Sequence, residues 1–270
     1  MTERTIVGVD FSGAKDEGKT WVAEGRLPSA GHLIIDRIQP FLRNDLLELL
    51  QHAPPSTVVA LDFPFGLPKV FLESLGIHAA TMKEVWHYIA TMSFNEYKNE
   101  CKGFGTHPKR TGDKHYPVSL SALNSRLVPM TYRGIEMLHS LDKACLNRWC
   151  IPPLCSGEAT VDRITLLEVM PGAFLSAIGL DWATVKGYKG ADSLDARDRV
   201  INRLAAYEEI KVTNLLHFRT GFRANDDCLD SVVAALAAAL WASDRQLFLH
   251  PIGEELSDAT LEGWIYAPKK

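Results

Sequence analysis

The sequence lacks a long apolar run. Its most apolar helical stretch, residues 229–242, is shorter than the roughly 20 apolar residues that a membrane-spanning helix needs. The opening MTERTIVGVDFSG holds only a short apolar run that already contains Asp10, which is not the pattern of a signal peptide. We therefore expect a cytoplasmic protein with no membrane partner.

Positive charge is not in excess, and cysteine is scarce. The chain has 29 basic and 33 acidic residues, a net charge of −4, so any contact with nucleic acid must be local. Its 5 cysteines, an odd number without secretory context, favour free thiols in a reducing compartment. The five-residue spacing of Cys145, Cys150 and Cys155 does not favour a zinc site, because zinc motifs use closer pairs.

Three common nucleotide and hydrolase motifs are also missing: a Walker A loop, a Rossmann G-x-G-x-x-G and a nucleophile elbow G-x-S-x-G. What the 270 residues do have is an ordinary balance of 46% hydrophobic and 23% charged residues. This size and balance predict one α/β core carrying an insertion.

Strand-length apolar runs open the chain at residues 5–11, 20–23 and 32–38, separated by turn residues, and predict an antiparallel meander. A helix over residues 44–50 and a buried strand over 57–61 follow. Later segments predict a strand at 163–167, helices at 191–210 and 226–242, and a short strand at 264–266.

Residues 69–160 break this alternation and predict an insertion or cap. We expect helices near 79–92 and 129–146, with a polar, basic segment between them. Its cations could contact phosphates, with Phe104 and Tyr116 available for stacking, or could lie on a solvated loop. The candidates for substrate binding are Lys109, Arg110 and Lys114, joined by Lys186 in a later segment that is otherwise a surface turn.

Acidic residues end three apolar strands. Asp10 follows Ile6–Val9, Asp62 follows the strand at 57–61, and Glu168 follows the strand at 163–167. A carboxylate at the end of a central strand is costly unless a partner compensates it, although Asp62 and Glu168 could each begin a turn. Three in equivalent positions predict a shared site at one edge of the sheet, where open α/β sheets bind ligands.

A second acidic group begins the last long helix. Asp226 and Asp227 each share a helix face with Asp230, although Asp226 could instead be the N-cap. Carboxylates brought together would repel one another, and a divalent cation relieves that repulsion. Oxygen ligands favour Mg²⁺ or Mn²⁺, and a pair of such ions could clamp the attacking and leaving oxygens of a phosphodiester.

These acids lie in short segments that together resemble one family. The segments are VGVDFSG at 7–13, LDFPFGLP at 61–68, EVMP at 168–171, residues 226–239, and EGWIYAP at 262–268. In this order they resemble the family domain-of-unknown-function 429, described as predicted ribonuclease-H-like nucleases. Residues 227–235 also resemble the late helix of Holliday-junction resolvases.

The resemblance implies an α/β fold of the ribonuclease-H-like type, a mixed sheet flanked by helices, as one domain over residues 1–270 with the insertion at 69–160. It implies catalytic roles for five acids and metal binding by six: Asp10, Asp62, Glu168, Asp227 and Asp230, with Asp226 as the further metal ligand. Glu168 occupies a strand position where simpler ribonuclease-H enzymes need no catalytic acid, and the insertion could cover the cleft.

Three functions follow from these features. The first is a nuclease in which an activated water attacks phosphorus, with Asp10 binding both Mg²⁺ or Mn²⁺ ions and nucleic acid as the substrate. The second is an actin-like, ATP-binding phosphotransferase that uses residues 8–15 as a phosphate loop, although the sequence holds no clear second copy of such a core. The third is a non-catalytic module that binds nucleic acid or protein.

Overall fold

A seven-stranded mixed sheet organises the chain, in the order β5-β6-β4-β1-β2-β3-β7. The computed structural model describes residues 3–15, 18–117, 119–144, 148–155, 163–190 and 193–269. The strands are β1 Arg4–Asp10, β2 Thr20–Ser29, β3 His32–Phe41, β4 Val58–Asp62, β5 Trp149–Cys150, β6 Ile164–Glu168 and β7 Lys211–Val212. The α/β class predicted from the sequence is confirmed.

The first three strands form the predicted antiparallel meander, with β1 paired to β2 and β2 paired to β3. On its other side β1 pairs with β4 in parallel, and β4 pairs with β6 in parallel. The carboxyl ends of these three parallel strands therefore meet at one edge of the sheet. This edge is the one at which Asp10, Asp62 and Glu168 stand.

Helices cover both faces of the sheet. Those in the described residues are α1 Arg43–His52, α2 Lys69–Ser74, α3 Met82–Ile89, α4 Phe94–Phe104, α5 Val128–Ala144, α6 Pro171–Ala177, α7 Trp182–Gly187, α8 Leu194–Ala205, α9 Arg219–Ala224, α10 Asp226–Ser243 and α11 Glu254–Glu262. Alternate residues of β1 serve the two cores: Ile6 packs with α8 and α10, while Val7 and Val9 pack with α1, α3 and α5. Across the part of the chain that is described, no helix combines the length and apolarity needed to cross a membrane.

Much of the segment at 69–160 consists of helices α2 to α5, which pack on the same face of the sheet as α1. Its basic part differs from the expected loop, because residues 94–104 form α4. Ser93 begins that helix with a capping box, in which its side chain and that of Glu96 each accept a backbone N–H of the other residue. Lys98 and Lys102 therefore lie on a helix one turn apart.

Two other expectations were wrong. Residues 264–266 form no strand, although the Tyr266 N–H donates to the Glu168 carbonyl. The nearest pairing is an isolated bridge from Phe248 to Pro268. The proline nitrogen has no proton and cannot extend a ladder of hydrogen bonds. Cys150 and Cys155 form a disulfide instead of remaining free thiols, which removes them as zinc ligands. Cys145, the third cysteine of that group, lies outside the described residues.

Helix α10 lies against the centre of the sheet because β1 has a glycine beneath it. A Cβ at Gly8 would stand 2.1 Å from Ala235 N and 2.2 Å from Ser231 O, well inside contact distance. The alanine-rich middle of α10 is buried, so small residues on both sides permit this backbone approach.

We expect Gly8→Ala to destabilise the protein by about 3 kcal/mol or more, because neither backbone can yield. The control is Gly103→Ala in α4, where a Cβ meets nothing within 4 Å; that change should stabilise by about 0.5–1 kcal/mol. Urea denaturation followed by circular dichroism measures both. Equal stabilities for the two variants would contradict the close packing of α10 on β1.

Candidate metal centre

Three aspartates from separate elements meet at the carboxyl edge of the sheet. Asp10 is the last residue of β1 and Asp62 the last of β4, and the two are partners in the parallel register. Asp230, in the second turn of α10, completes the group. One carboxylate oxygen from each residue lies within 4.8 Å of the others. This group, Asp10, Asp62 and Asp230, is called the triad below.

Two local features fix the position of Asp230. The N-cap of α10 is Asn225, whose side chain accepts the Cys228 N–H at 3.1 Å, so Asp226 is not the cap. The approach of α10 to Gly8 then brings the second helical turn over the ends of β1 and β4. Asp230 is fully buried as a result.

The two oxygens of Asp230 have different partners. The Tyr188 hydroxyl donates to Oδ1 at 2.6 Å. Lys189 Nζ lies 2.7 Å from Oδ2 as an ion pair, with the lysine side chain 54% exposed. In the part of the chain that is described, no donor is aligned on Oδ2 for a hydrogen bond. That oxygen is therefore buried and is neutralised by the Lys189 charge without an aligned hydrogen bond.

Burial and repulsion between carboxylates act on Asp10 and Asp62. Burial first, then the charges of Asp230 and Asp62, raise the pKa of Asp10 well above its usual range. Burial raises the pKa of Asp62 to about 7, against the opposing effect of Lys189. The charge of Asp230 in turn raises the pKa of Lys189. A group of this kind needs positive charge, and its buried carboxylates could hold a metal ion.

The other two acids of α10 have different surroundings. Asp227 borders the same cleft as Asp10 and Asp62, and its pKa is raised by burial and by Asp226 and Asp230. Asp226 Oδ1 accepts from Arg197 Nη2 at 3.1 Å, so its charge already has a partner. The structure brings Asp227 close to the triad and turns Asp226 toward an arginine.

Glu168 borders the cleft but belongs to a separate buried network. Its Oε2 accepts from Arg110 Nη1 at 3.0 Å and from the Phe65 N–H at 3.1 Å, and its Oε1 pairs with Arg110 Nη2. Arg110 also binds Asp113, at 2.7 Å, and the Glu262 carbonyl, at 2.9 Å. The carboxylate of Glu168 thus pairs with a buried guanidinium, whereas the three carboxylates of the triad share the half-exposed ammonium of Lys189.

The basic candidates are scattered. Arg110 is only 2% exposed, and its guanidinium is occupied by the network just described. Lys109 Nζ donates to the Tyr116 carbonyl at 3.3 Å, while Lys114 and Lys186 lie exposed on a 3-10 helix and near the end of α7. Within the described ranges, the lysines and arginines that line the cleft are others: Lys15, Lys19, Lys98, Lys102, Arg126, Arg133 and Lys189, besides the buried Arg110.

Sequence reasoning missed Tyr188 and Lys189 as partners of Asp230. The sequence analysis selects Lys186 from the segment at 186–190 as a substrate-binding candidate, whereas Lys189 is the lysine that pairs with Asp230. No local pattern in the sequence distinguishes Lys189 from Lys186. In the structure, the buried Arg197 donates to the carbonyls of Tyr188, Gly190 and Arg223 and fixes the loop beside α10. Only the folded chain brings these residues together.

A family model matches residues 8–253 of the chain, a stretch that contains the whole triad. The chain is a member of the DUF429 family. The family is described as a protein of unknown function, so membership brings no activity with it. No curated protein and no solved structure matched this DUF429 chain.

In metal-free DUF429 protein, the triad should make stability fall as pH rises. The folded pKa of Asp62, about 7, lies above an unfolded value of about 3.9, so between these values the native state binds more protons. The wild-type protein should therefore lose up to about 1.4 kcal/mol per pH unit relative to Asp62→Asn between about pH 4 and pH 7.

Urea denaturation in EDTA across this range measures the difference between the two proteins. Asp36→Asn is the control, because Asp36 is half exposed on β3 and should leave the profile unchanged. A wild-type stability that rises relative to Asp62→Asn would mean that the carboxylate is ionised and compensated in the native state.

Arg110→Met should destabilise the protein by about 3–5 kcal/mol, because it leaves two buried carboxylates without a counter-ion. Arg26→Met is the control: Arg26 pairs with Asp36 on the surface, where such pairs contribute about 0–1 kcal/mol. Chemical denaturation at neutral pH compares them. A loss below about 1 kcal/mol for Arg110→Met would contradict a role for this network in stability.

Proposed function

We propose that this DUF429 protein is a divalent-metal-dependent nuclease that hydrolyses phosphodiester bonds with Mg²⁺ or Mn²⁺. The observation that carries the proposal is the convergence of Asp10, Asp62 and Asp230, from β1, β4 and α10, with oxygens within 4.8 Å of one another. Carboxylate oxygens are the donors that these hard cations prefer. Oδ2 of Asp230 has the Lys189 ammonium at 2.7 Å but no aligned hydrogen-bond donor among the described residues, and would be the oxygen that turns to the cation.

The topology supports the proposal. An antiparallel meander, β1 to β3, followed by the parallel strands β4 and β6, with a late acidic helix over β1, is the arrangement that the ribonuclease-H-like resemblance implies. Asp10 and Asp62 end the first and fourth strands and Asp230 lies on a late helix, positions that would suit a catalytic centre of the ribonuclease-H-like type.

In the proposed reaction, the triad would hold the cation, and Tyr188 would fix the carboxylate of Asp230 by its hydrogen bond. When bound, a divalent cation supplies Lewis acidity toward the phosphate and lowers the pKa of a water molecule. Lys189, half exposed beside Asp230, would face the negative phosphate once a cation balances the aspartates. Asp227 would lie next to the triad, and Glu168 would support the site through its pair with Arg110.

The cleft supports a phosphate-bearing substrate. It has a volume of about 1070 Å³, with Asp10 and Asp62 among its lining residues. Its rim carries lysines and arginines although the whole chain has a net charge of −4. Local positive charge around a buried acidic site would draw in an anionic substrate and place it against a bound cation.

Asp10→Asn should abolish cleavage and weaken Mn²⁺ binding. Outer-shell residues of metal sites cost about 10–100-fold when replaced, so the loss of a direct ligand should cost more. Labelled DNA and RNA oligonucleotides incubated with Mg²⁺, Mn²⁺ or EDTA measure cleavage, and calorimetry measures Mn²⁺ binding. Asp36→Asn, on the exposed side of β3, should behave as wild type in both.

Each alternative has its own outcome in these measurements. Wild-type cleavage by folded Asp10→Asn would exclude the proposed role of the triad. ATP binding without nuclease activity would favour the actin-like phosphotransferase, in which residues 8–15 form a phosphate loop. An absence of Mn²⁺ binding at millimolar concentration would favour a non-catalytic interaction module.

A further inference from the structure

One wall of the cleft is built by the segment at 69–160 and is docked tightly on the sheet. A Cβ at Gly13 would stand 2.1 Å from Met130 N, so the first turn of α5 touches the backbone beyond β1. A Cβ at Gly134 would stand 2.3 Å from the Phe63 ring. Arg133 Nε adds a hydrogen bond to the Gly13 carbonyl at 3.3 Å. These contacts fix the distance between the wall and the triad.

The cleft beside this wall has a limited size. Its volume of about 1070 Å³ is slightly above that of pockets that hold a drug-sized molecule, about 300–1000 Å³. Asp10 is 8% exposed and Asp230 is fully buried, so a phosphate must enter the cleft to reach them. A duplex is stiff, with a persistence length of about 50 nm, so it follows a cleft less readily than a flexible single strand does.

One face of α4 borders the cleft with one aromatic side chain and two lysines. Phe94, Lys98 and Lys102 follow one another at intervals of four residues, and all three border the cleft. Both lysines are exposed, and in the described part of the chain neither has an ion pair. Arg133 lies over the Phe94 ring, 5.5 Å from its centroid, so the aromatic ring is held in place.

We infer that the substrate is single-stranded nucleic acid, which lies along the α4 face formed by Phe94, Lys98 and Lys102 and delivers one phosphate to the triad. Cations that track the backbone together with an aromatic side chain for base stacking are the usual means of binding single strands without sequence preference. This inference rests on the proposed function and narrows its substrate to a class that fits the walled cleft.

Fluorescence anisotropy with the wild-type protein in EDTA tests binding apart from cleavage. The probes are a labelled ten-nucleotide single-stranded DNA, the matching RNA, the DNA duplex of the same sequence and a mononucleotide. We expect each single strand to bind at least about tenfold more tightly than the duplex and the mononucleotide, and its affinity to fall with salt.

The double variant Lys98→Gln, Lys102→Gln should weaken single-strand binding about tenfold and reduce the salt slope by about 1.4, about 0.7 for each phosphate contact. The matched control is Lys69→Gln, Lys143→Gln, which removes the same charge from exposed positions of the same segment that do not line the cleft. Equal losses in the two double variants would overturn the assignment of α4 as the strand-binding face.

Cleavage of the same probes with Mn²⁺ separates this inference from the proposed function. Equal binding and cleavage of duplex and single strand would overturn the inference and leave the nuclease standing. Single-strand binding without any cleavage would overturn the nuclease and leave the strand-binding face. A mononucleotide that binds as tightly as the oligonucleotide would also overturn the inference, because nothing beyond one nucleotide would then be recognised.

Discussion

The energetic cost of placing three carboxylates in one buried space dominates the structure around the sheet edge. Asp230 is fully buried, Asp10 is nearly so, and the charge of Asp230 adds to the cost of ionising Asp10. A small shift of α10 would move Asp230 away from the other two carboxylates and would lower this cost. The shift does not occur because α10 packs backbone to backbone on Gly8, and that packing belongs to the main core of the protein. The core thus holds together groups that repel.

The same edge of the sheet contains two kinds of buried acid, and the difference between them is their counter-charge. Glu168 shares a guanidinium with Asp113, and both carboxylates are satisfied within the chain. The triad has a single half-exposed ammonium, that of Lys189, against three carboxylates. A network closed by arginine serves stability and joins the segment at 69–160 to β6. A group short of positive charge is suited to binding it from outside.

The sequence predicted the parts of this arrangement that depend on strand ends and helix faces. Asp10 and Asp62 could be expected together because each ends an apolar strand, and parallel strands place their carboxyl ends at one edge. Asp230 followed from its position one turn into a helix. The helix α4 was missed although Ser93 and Glu96, three residues apart, form a capping box that a sequence can reveal.

Other features depend on distances along the chain that no local pattern contains. The partner of Glu168 is Arg110, 58 residues earlier, and the sequence offers no reason to pair them instead of giving Glu168 to a metal and Arg110 to a phosphate. The same holds for Lys189, which differs from Lys186 only in the loop that Arg197 fixes. Charge partners are chosen by tertiary packing, so residue type and spacing identify candidates without assigning them.

The segment at residues 7–13 acquires a physical explanation from its two glycines. Gly8 admits the backbone of α10 on one side of Asp10, and Gly13 admits the first turn of α5 on the other. Asp10 therefore stands between the helix that carries Asp230 and the helix that walls the cleft. Because both contacts are made by backbone, neither helix can move without disturbing the segment at 7–13. The geometry of the triad and the width of the cleft are consequently set by this one segment, so a change that widened the cleft for a bulkier substrate would also displace the acids.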